Sequence, residues 1–219
     1  MATFRRTGPS APVRALCAYA AAMTRRDFAA ARAALAAAKR AGARRAAAEE
    51  AALMLMLYAG YPAALEGLRV LNEAWPGRAR ATREGGQAAW TRRGEALCRR
   101  VYGPAFEKLV PAVRALHPDL ATWMVEHGYG RVLSRPGLSA KDRELVTVAA
   151  LAALGWERQL VSHLLGALRV GGRPREVEAA LLAGLKGAGD APLAAGTTAW
   201  RRVLAADPKW RARRTAGRA

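Results

Sequence analysis

The chain has 219 residues, 52% of them apolar and only 6% aromatic, and carries a formal charge of +19. A chain of this length can bury one good core or two small ones, and abundant alanine with few aromatics favours close-packed helices over a β-sandwich, so the expected fold class is all-α. No apolar run reaches the roughly 18 to 20 uncharged residues that cross a bilayer, and the N-terminus MATFRRTGPSAP lacks a signal-peptide core, so a soluble, cytoplasmic protein with no membrane partner is expected.

The positive charge is unevenly spread. Pro76 to Arg100 holds seven basic residues against Glu84 and Glu95, and Trp200 to Ala219 holds seven against Asp207. Neither stretch matches a nucleic-acid module, so solvated arginines are expected rather than a nucleic-acid partner, with weak polyanion binding as the alternative.

In chain order, the first expected helices cover roughly 11 to 24, 27 to 41 and 46 to 58, followed after YAGYP by another from Ala63 to Glu73. The Met and Leu stripe LMLML reads as core. Arg78 to Gly94 is polar and glycine-bearing and reads as a linker. A helical stretch from Gly94 to Arg100 then leads into a segment that Pro104, Pro111 and Pro118 punctuate into short helices.

A loop starting near Tyr129 is expected to enter a helical hairpin of roughly 140 to 154 and 157 to 170. Ser139, with Asp142 three residues later, has the spacing of a capping box. Gly155 supplies the corner, and Gly171 and Gly172 end the second helix where a left-handed backbone is cheap. Pro174 opens a third helix to about 187, and a closing helix spans Ala191 to Ala205.

Sliding the sequence by 129 positions lays Ser10 to Tyr61 on Ser139 to Asp190 without a gap. Arg14 then falls on Arg143, Gly42 on Gly171, Glu49 on Glu178 and Gly60 on Gly189, matches that alanine richness does not inflate. The expected organisation is a degenerate N-terminal repeat over 10–76, a basic linker over 77–93, a C-terminal repeat over 94–206 and a basic tail over 207–219.

Two polar residues in the hairpin point to chemistry. Glu144 lies about 16 Å before the corner and His163 about 10 Å after it, at roughly 1.5 Å per residue, so the two sit within about one turn of each other. A carboxylate that orients an imidazole lets the ring move a proton near neutral pH. Glu144 could equally be a favourable helix charge, and His163 a packed, hydrogen-bonded core residue. The first repeat holds Ala15 and Ala34 at the matching positions, so only the second copy carries the pair. Cys17 and Cys98 are isolated, and His117, His127 and His163 lack metal-ligand spacing, so neither a disulfide framework nor a metal site is suggested.

The run SRPGLS with RELVTVAALAALG, followed by QLVSHLLGAL and the glycine before the third helix, resembles the carboxymuconolactone decarboxylase family of the AhpD-like all-helical superfamily. LCRRVYG and HPDLATWMVEHGYG extend the resemblance upstream, and EEAALMLMLYAGYP resembles the family's third helix in the first repeat. The resemblance implies an AhpD-like helical bundle of two tandem repeats and a cofactor-free lyase. That enzyme would remove carbon dioxide from 4-carboxymuconolactone during breakdown of aromatic compounds.

The same resemblance implies His163 as proton donor, Glu144 as its orienting carboxylate and Arg135 as the binder of a substrate carboxylate, although Arg135 could instead fix its loop. It also implies a homo-oligomer, trimeric or hexamer-like. The peroxidase branch of the superfamily carries a Cys-x-x-Cys pair where this chain has Gln159 and Ser162, so thiol peroxidase activity is not expected. A divergent member with another substrate, or a non-enzymatic oligomeric binding protein, is the alternative.

Overall fold

The computed structural model describes residues 8–82 and 85–206; the expected basic tail, 207–219, and part of the expected linker lie outside the described residues. Every regular element among the described residues is helical. In chain order these are α1 (Ala11–Thr24), α2 (Phe28–Arg40), α3 (Arg45–Ala74), α4 (Gln87–Tyr102), a 3-10 turn (Gly103–Ala105), α5 (Phe106–Leu116), α6 (Pro118–Trp123) and a π-helix (Met124–Leu133). They continue with α7 (Ala140–Leu154), α8 (Glu157–Arg169), α9 (Pro174–Leu185) and α10 (Asp190–Ala206).

Helix α7 is the axis of the bundle. The Ser139 hydroxyl accepts from the Asp142 backbone N–H at 3.1 Å and donates to the Asp142 carboxylate at 2.8 Å, which fixes where the helix starts. From Arg143 to Ala153 every residue is buried. Alanine makes that possible, because small side chains let neighbouring backbones come close: a Cβ at Gly184 of α9 would lie 2.4 Å from the Ala149 carbonyl oxygen. Helices α1, α8 and α9 all pack on α7. Gly155, at φ 72°, turns the chain from α7 into α8.

The N-terminal and C-terminal stretches share one core. Helix α1 packs on α2 and α3 and also on α7 and α9, and a single apolar cluster runs through both halves. The 129-residue offset carries Ala11, Phe28 and Arg45 onto Ala140, Glu157 and Pro174, the first residues of α7, α8 and α9.

Three local expectations change. Helix α4 begins at Gln87 rather than Gly94, so the stretch expected as linker is shorter. Its polar residues find partners on the π-helix: Thr91 donates to Glu126, and Arg93 donates to the Gly130 carbonyl and the Ser134 hydroxyl. Pro111 does not end a helix but sits inside α5, at an exposed position where water can reach the backbone carbonyl it leaves unbonded. The segment expected as a loop from Tyr129 is instead helical as far as Leu133, in the wider π register.

That π-helix lies directly on α4. A Cβ at Gly94 would sit 2.0 Å from the Val125 carbonyl oxygen, and one at Gly130 would sit 2.0 Å from the Trp90 carbonyl oxygen. Two glycines thus let the two backbones touch. The approach sets Tyr102 at the end of α4 beside Tyr129 of the π-helix.

Helix α3 is long and apolar enough to match a membrane span by length and composition, with a mean hydropathy of 1.3 over 18 residues. It breaks at Gly60, where φ is 83° and ψ 171°, and it packs on α1, α2 and α7. Its Glu50 also carries a buried ion pair, so the helix reads as part of the core.

Candidate functional site

Helices α7 and α8 bring Glu144 and His163 together: His163 Nδ1 lies 2.9 Å from Glu144 Oε2, with both side chains buried. With Glu144 as a carboxylate, which only accepts hydrogen bonds, this contact assigns the proton to Nδ1 and leaves Nε2 outside the pair. The carboxylate reaches the ring past Gly166 on α8, where a Cβ would stand 2.7 Å from Oε2. Ala15 and Ala34, at the matching positions of the first half, are buried and carry no polar group.

His163 lines a cavity of about 630 Å³. The cavity lies where α3, α4, the π-helix, α7 and α8 meet, and its walls are largely aromatic and apolar. Tyr58, Tyr102 and Tyr129 line it, Trp123 and Trp156 stand with much of their surface exposed, and Gln159 and His127 add polar atoms. Among the described residues, no lysine or arginine side chain lines it.

The three inner tyrosines are bonded in a definite order. Thr147 donates to the Arg143 carbonyl at 2.9 Å, so the Tyr58 hydroxyl, 2.5 Å from the Thr147 hydroxyl, is the donor between those two. Tyr129 donates to Tyr102 at 2.8 Å. The Tyr102 ring also packs edge-on to the His163 ring, with centroids 6.3 Å apart. Burial pushes all three phenols above the ordinary tyrosine range, so they act as neutral groups at ordinary pH.

Arg135 is not brought to this cavity. Its Nε lies 3.1 Å from both carboxylate oxygens of Glu50, and its Nη2 donates to Thr82. Arg143, almost wholly buried, donates to the same Glu50 at 2.9 Å and to the carbonyls of Arg135 and Pro136. This cluster ties together the segment that leads into α7. Arg135 lines a second, smaller cavity of about 290 Å³, separated from the first by Leu133, which borders both.

The two cysteines are apart from this chemistry. Both are buried and free, and burial, helped by the Asp142 charge, pushes the Cys17 thiol up to about 12. Ser162 sits half-buried on α8 with its hydroxyl turned to the Arg158 carbonyl.

Sequence reasoning did not single out Tyr58, Tyr102, Tyr129 or His127. Tyr58, Tyr102 and Tyr129 do each stand next to, or one residue from, a glycine, in YAGYP, VYGP and GYG, and a tyrosine beside a backbone kink was the available signal.

Residues 118–207 match the model of the Carboxymuconolactone decarboxylase family. That stretch is similar to the carboxymuconolactone decarboxylase family. The match spans the π-helix, α7 and α8, and so includes Glu144 and His163, and the all-helical bundle fits the AhpD-like superfamily. The cavity walls contributed by α3 and α4, with Tyr58 and Tyr102, lie outside the matched stretch. No curated protein matches the chain.

Proposed function

We propose that this protein, whose C-terminal stretch is similar to the carboxymuconolactone decarboxylase family, is an acid–base enzyme in which His163, oriented by Glu144, moves a proton at an unsaturated molecule. The observation that carries the reading is the buried 2.9 Å contact between the two, with the histidine on the wall of a cavity of ligand size. In the reaction the family is named for, loss of carbon dioxide from an unsaturated lactone leaves an electron pair delocalised into the ring. The carbon must then be protonated. His163 Nε2–H would supply that proton and Glu144 would hold the imidazolium, two roles that one buried dyad can fill.

A second reading keeps the acid–base pair and changes the substrate. It is favoured by Arg135, whose guanidinium is bound to Glu50 instead of facing the cavity. The shared start-to-start offset of the two three-helix runs supports an internal duplication in which only the second copy kept the dyad.

Incubating purified protein with 4-carboxymuconolactone, beside a His163→Ala variant of unchanged helicity, tests both readings. Carbon dioxide release that the variant loses supports the decarboxylase. No release, together with His163-dependent exchange of solvent protons into another carbonyl compound, supports the divergent acid–base enzyme. Neither activity in a folded protein overturns the enzyme reading and leaves an oligomeric binding protein.

A further inference from the structure

Charge, size and hydrogen bonding in the cavity narrow the substrate class of the second reading, in which His163 is the acid–base group and the substrate is not the family's lactone. The described lining side chains able to carry positive charge are His127 and His163, and any charge on His163 stands against the Glu144 carboxylate. A carboxylate entering this space would give up part of its hydration without gaining an arginine or lysine partner among the described lining residues. At about 630 Å³ the cavity has the capacity of a drug-sized molecule, well beyond a single five-membered ring. Leu120, Tyr61, Trp123 and Trp156, all lining it, keep 45 to 64% of their surface exposed, so the apolar wall continues outward.

The tyrosine network supplies a polar anchor. Tyr58 spends its proton on Thr147, and Tyr129 spends its own on Tyr102. Among the described residues the Tyr102 proton, unlike those of Tyr58 and Tyr129, has no acceptor, and the bond accepted from Tyr129 polarises it as a donor. Tyr102 shares its ring contact with His163, so a ligand oxygen bonded to Tyr102 places the neighbouring carbons near the imidazole.

We infer that the His163 cavity takes an uncharged, apolar, multi-ring carbonyl compound, and that Tyr102 is a catalytic residue that holds its carbonyl oxygen, with Tyr129 as a positioning residue behind it. His163 Nε2 takes a proton from the carbon next to the carbonyl, and the C–H electron pair moves into the carbon–carbon bond as the carbonyl π pair moves to oxygen. The enolate oxygen accepts from Tyr102. Return of the proton from His163 to the same or the conjugated carbon restores the carbonyl, with no other reactant consumed.

Binding of 2-naphthol, an apolar enolate mimic, and of naphthalene-2,6-dicarboxylate, followed by quenching of tryptophan fluorescence, tests the ligand class without needing turnover. The full chain should bind 2-naphthol at least tenfold more tightly than the dicarboxylate. Tyr102→Phe should weaken 2-naphthol roughly five- to tenfold, and Tyr129→Phe by less, while both leave naphthalene itself unaffected. Equal or tighter binding of the dicarboxylate, or an unchanged 2-naphthol affinity in Tyr102→Phe, overturns the inference. Exchange of the α-protons of 2-tetralone in deuterium oxide separates the two levels of the argument. Exchange lost in His163→Ala, with 2-naphthol still bound, supports both. The binding pattern without any exchange retains the ligand class and overturns the acid–base roles of His163 and Tyr102.

Discussion

The Glu144 carboxylate rests on Gly166: a Cβ added to Gly166 would stand 2.7 Å from Glu144 Oε2 and 2.6 Å from Val101 Cγ1. The site therefore depends on a missing side chain one turn beyond His163. Gly166→Ala should keep the protein helical, since alanine is the better helix former, but should push the carboxylate off the ring. The expected result is a loss of His163-dependent activity of roughly tenfold or more with circular dichroism unchanged. Full activity in this variant would mean that the contact at Nδ1 does not matter.

Glu50 joins two arginines. Its carboxylate bonds Arg135 and the nearly inaccessible Arg143, whose burial lowers its pKa while Glu50 pulls it back. Removing one partner of a buried pair leaves the other charge without compensation. Glu50→Gln should destabilise the fold by about 3 to 5 kcal/mol in urea titrations, and replacing Glu50 and Arg143 together with apolar residues should restore much of that. A loss below about 1 kcal/mol in the single variant would show that the cluster is solvated.

Alkaline pH should destabilise the protein more than acid-stable surface charges would suggest. Burial holds the Tyr19, Tyr102 and Tyr129 phenols above the ordinary value of 10, so the folded state keeps protons that the unfolded chain releases. The stability they contribute is complete below about pH 10 and is lost as pH rises toward their folded values, by up to about 1.4 kcal/mol per pH unit for each phenol. Urea midpoints measured from pH 8 to 11 should fall, and Tyr129→Phe should flatten the slope. A flat profile in the native chain would contradict the buried network.

Both thiols should be inert in the native state. Burial raises Cys17 to about 12 and Cys98 further, with Glu144 and Glu95 adding to the latter. A disulfide reagent at pH 8 should titrate no thiol until guanidinium unfolds the chain, and then two. Rapid reaction of the folded protein would reopen thiol chemistry.

The hairpin was legible in the sequence because each of its signals is local. Ser139 with Asp142, Gly155 at the corner and Pro174 at the next start fix α7, α8 and the beginning of α9, and depths from the corner that differ by about one turn put Glu144 within reach of His163. The cavity was not legible, since it is closed by long-range contacts: Tyr58 comes from α3, Tyr102 from α4 and Tyr129 from the π-helix. The backbone touch at Gly94 and Gly130 that sets the last two together leaves no periodic trace. Arg135 sat in the right sequence neighbourhood for a substrate anchor, but Glu50, distant in sequence, claims it.

The account rests on the acid–base pair, and proton exchange tests it most directly. The native chain, His163→Ala and Glu144→Gln should be compared for deuterium exchange into 2-tetralone at pH 7. The account predicts a rate lowered by roughly 10² to 10⁴ in His163→Ala and a smaller loss in Glu144→Gln. An exchange rate in folded His163→Ala equal to that of the native chain would contradict it.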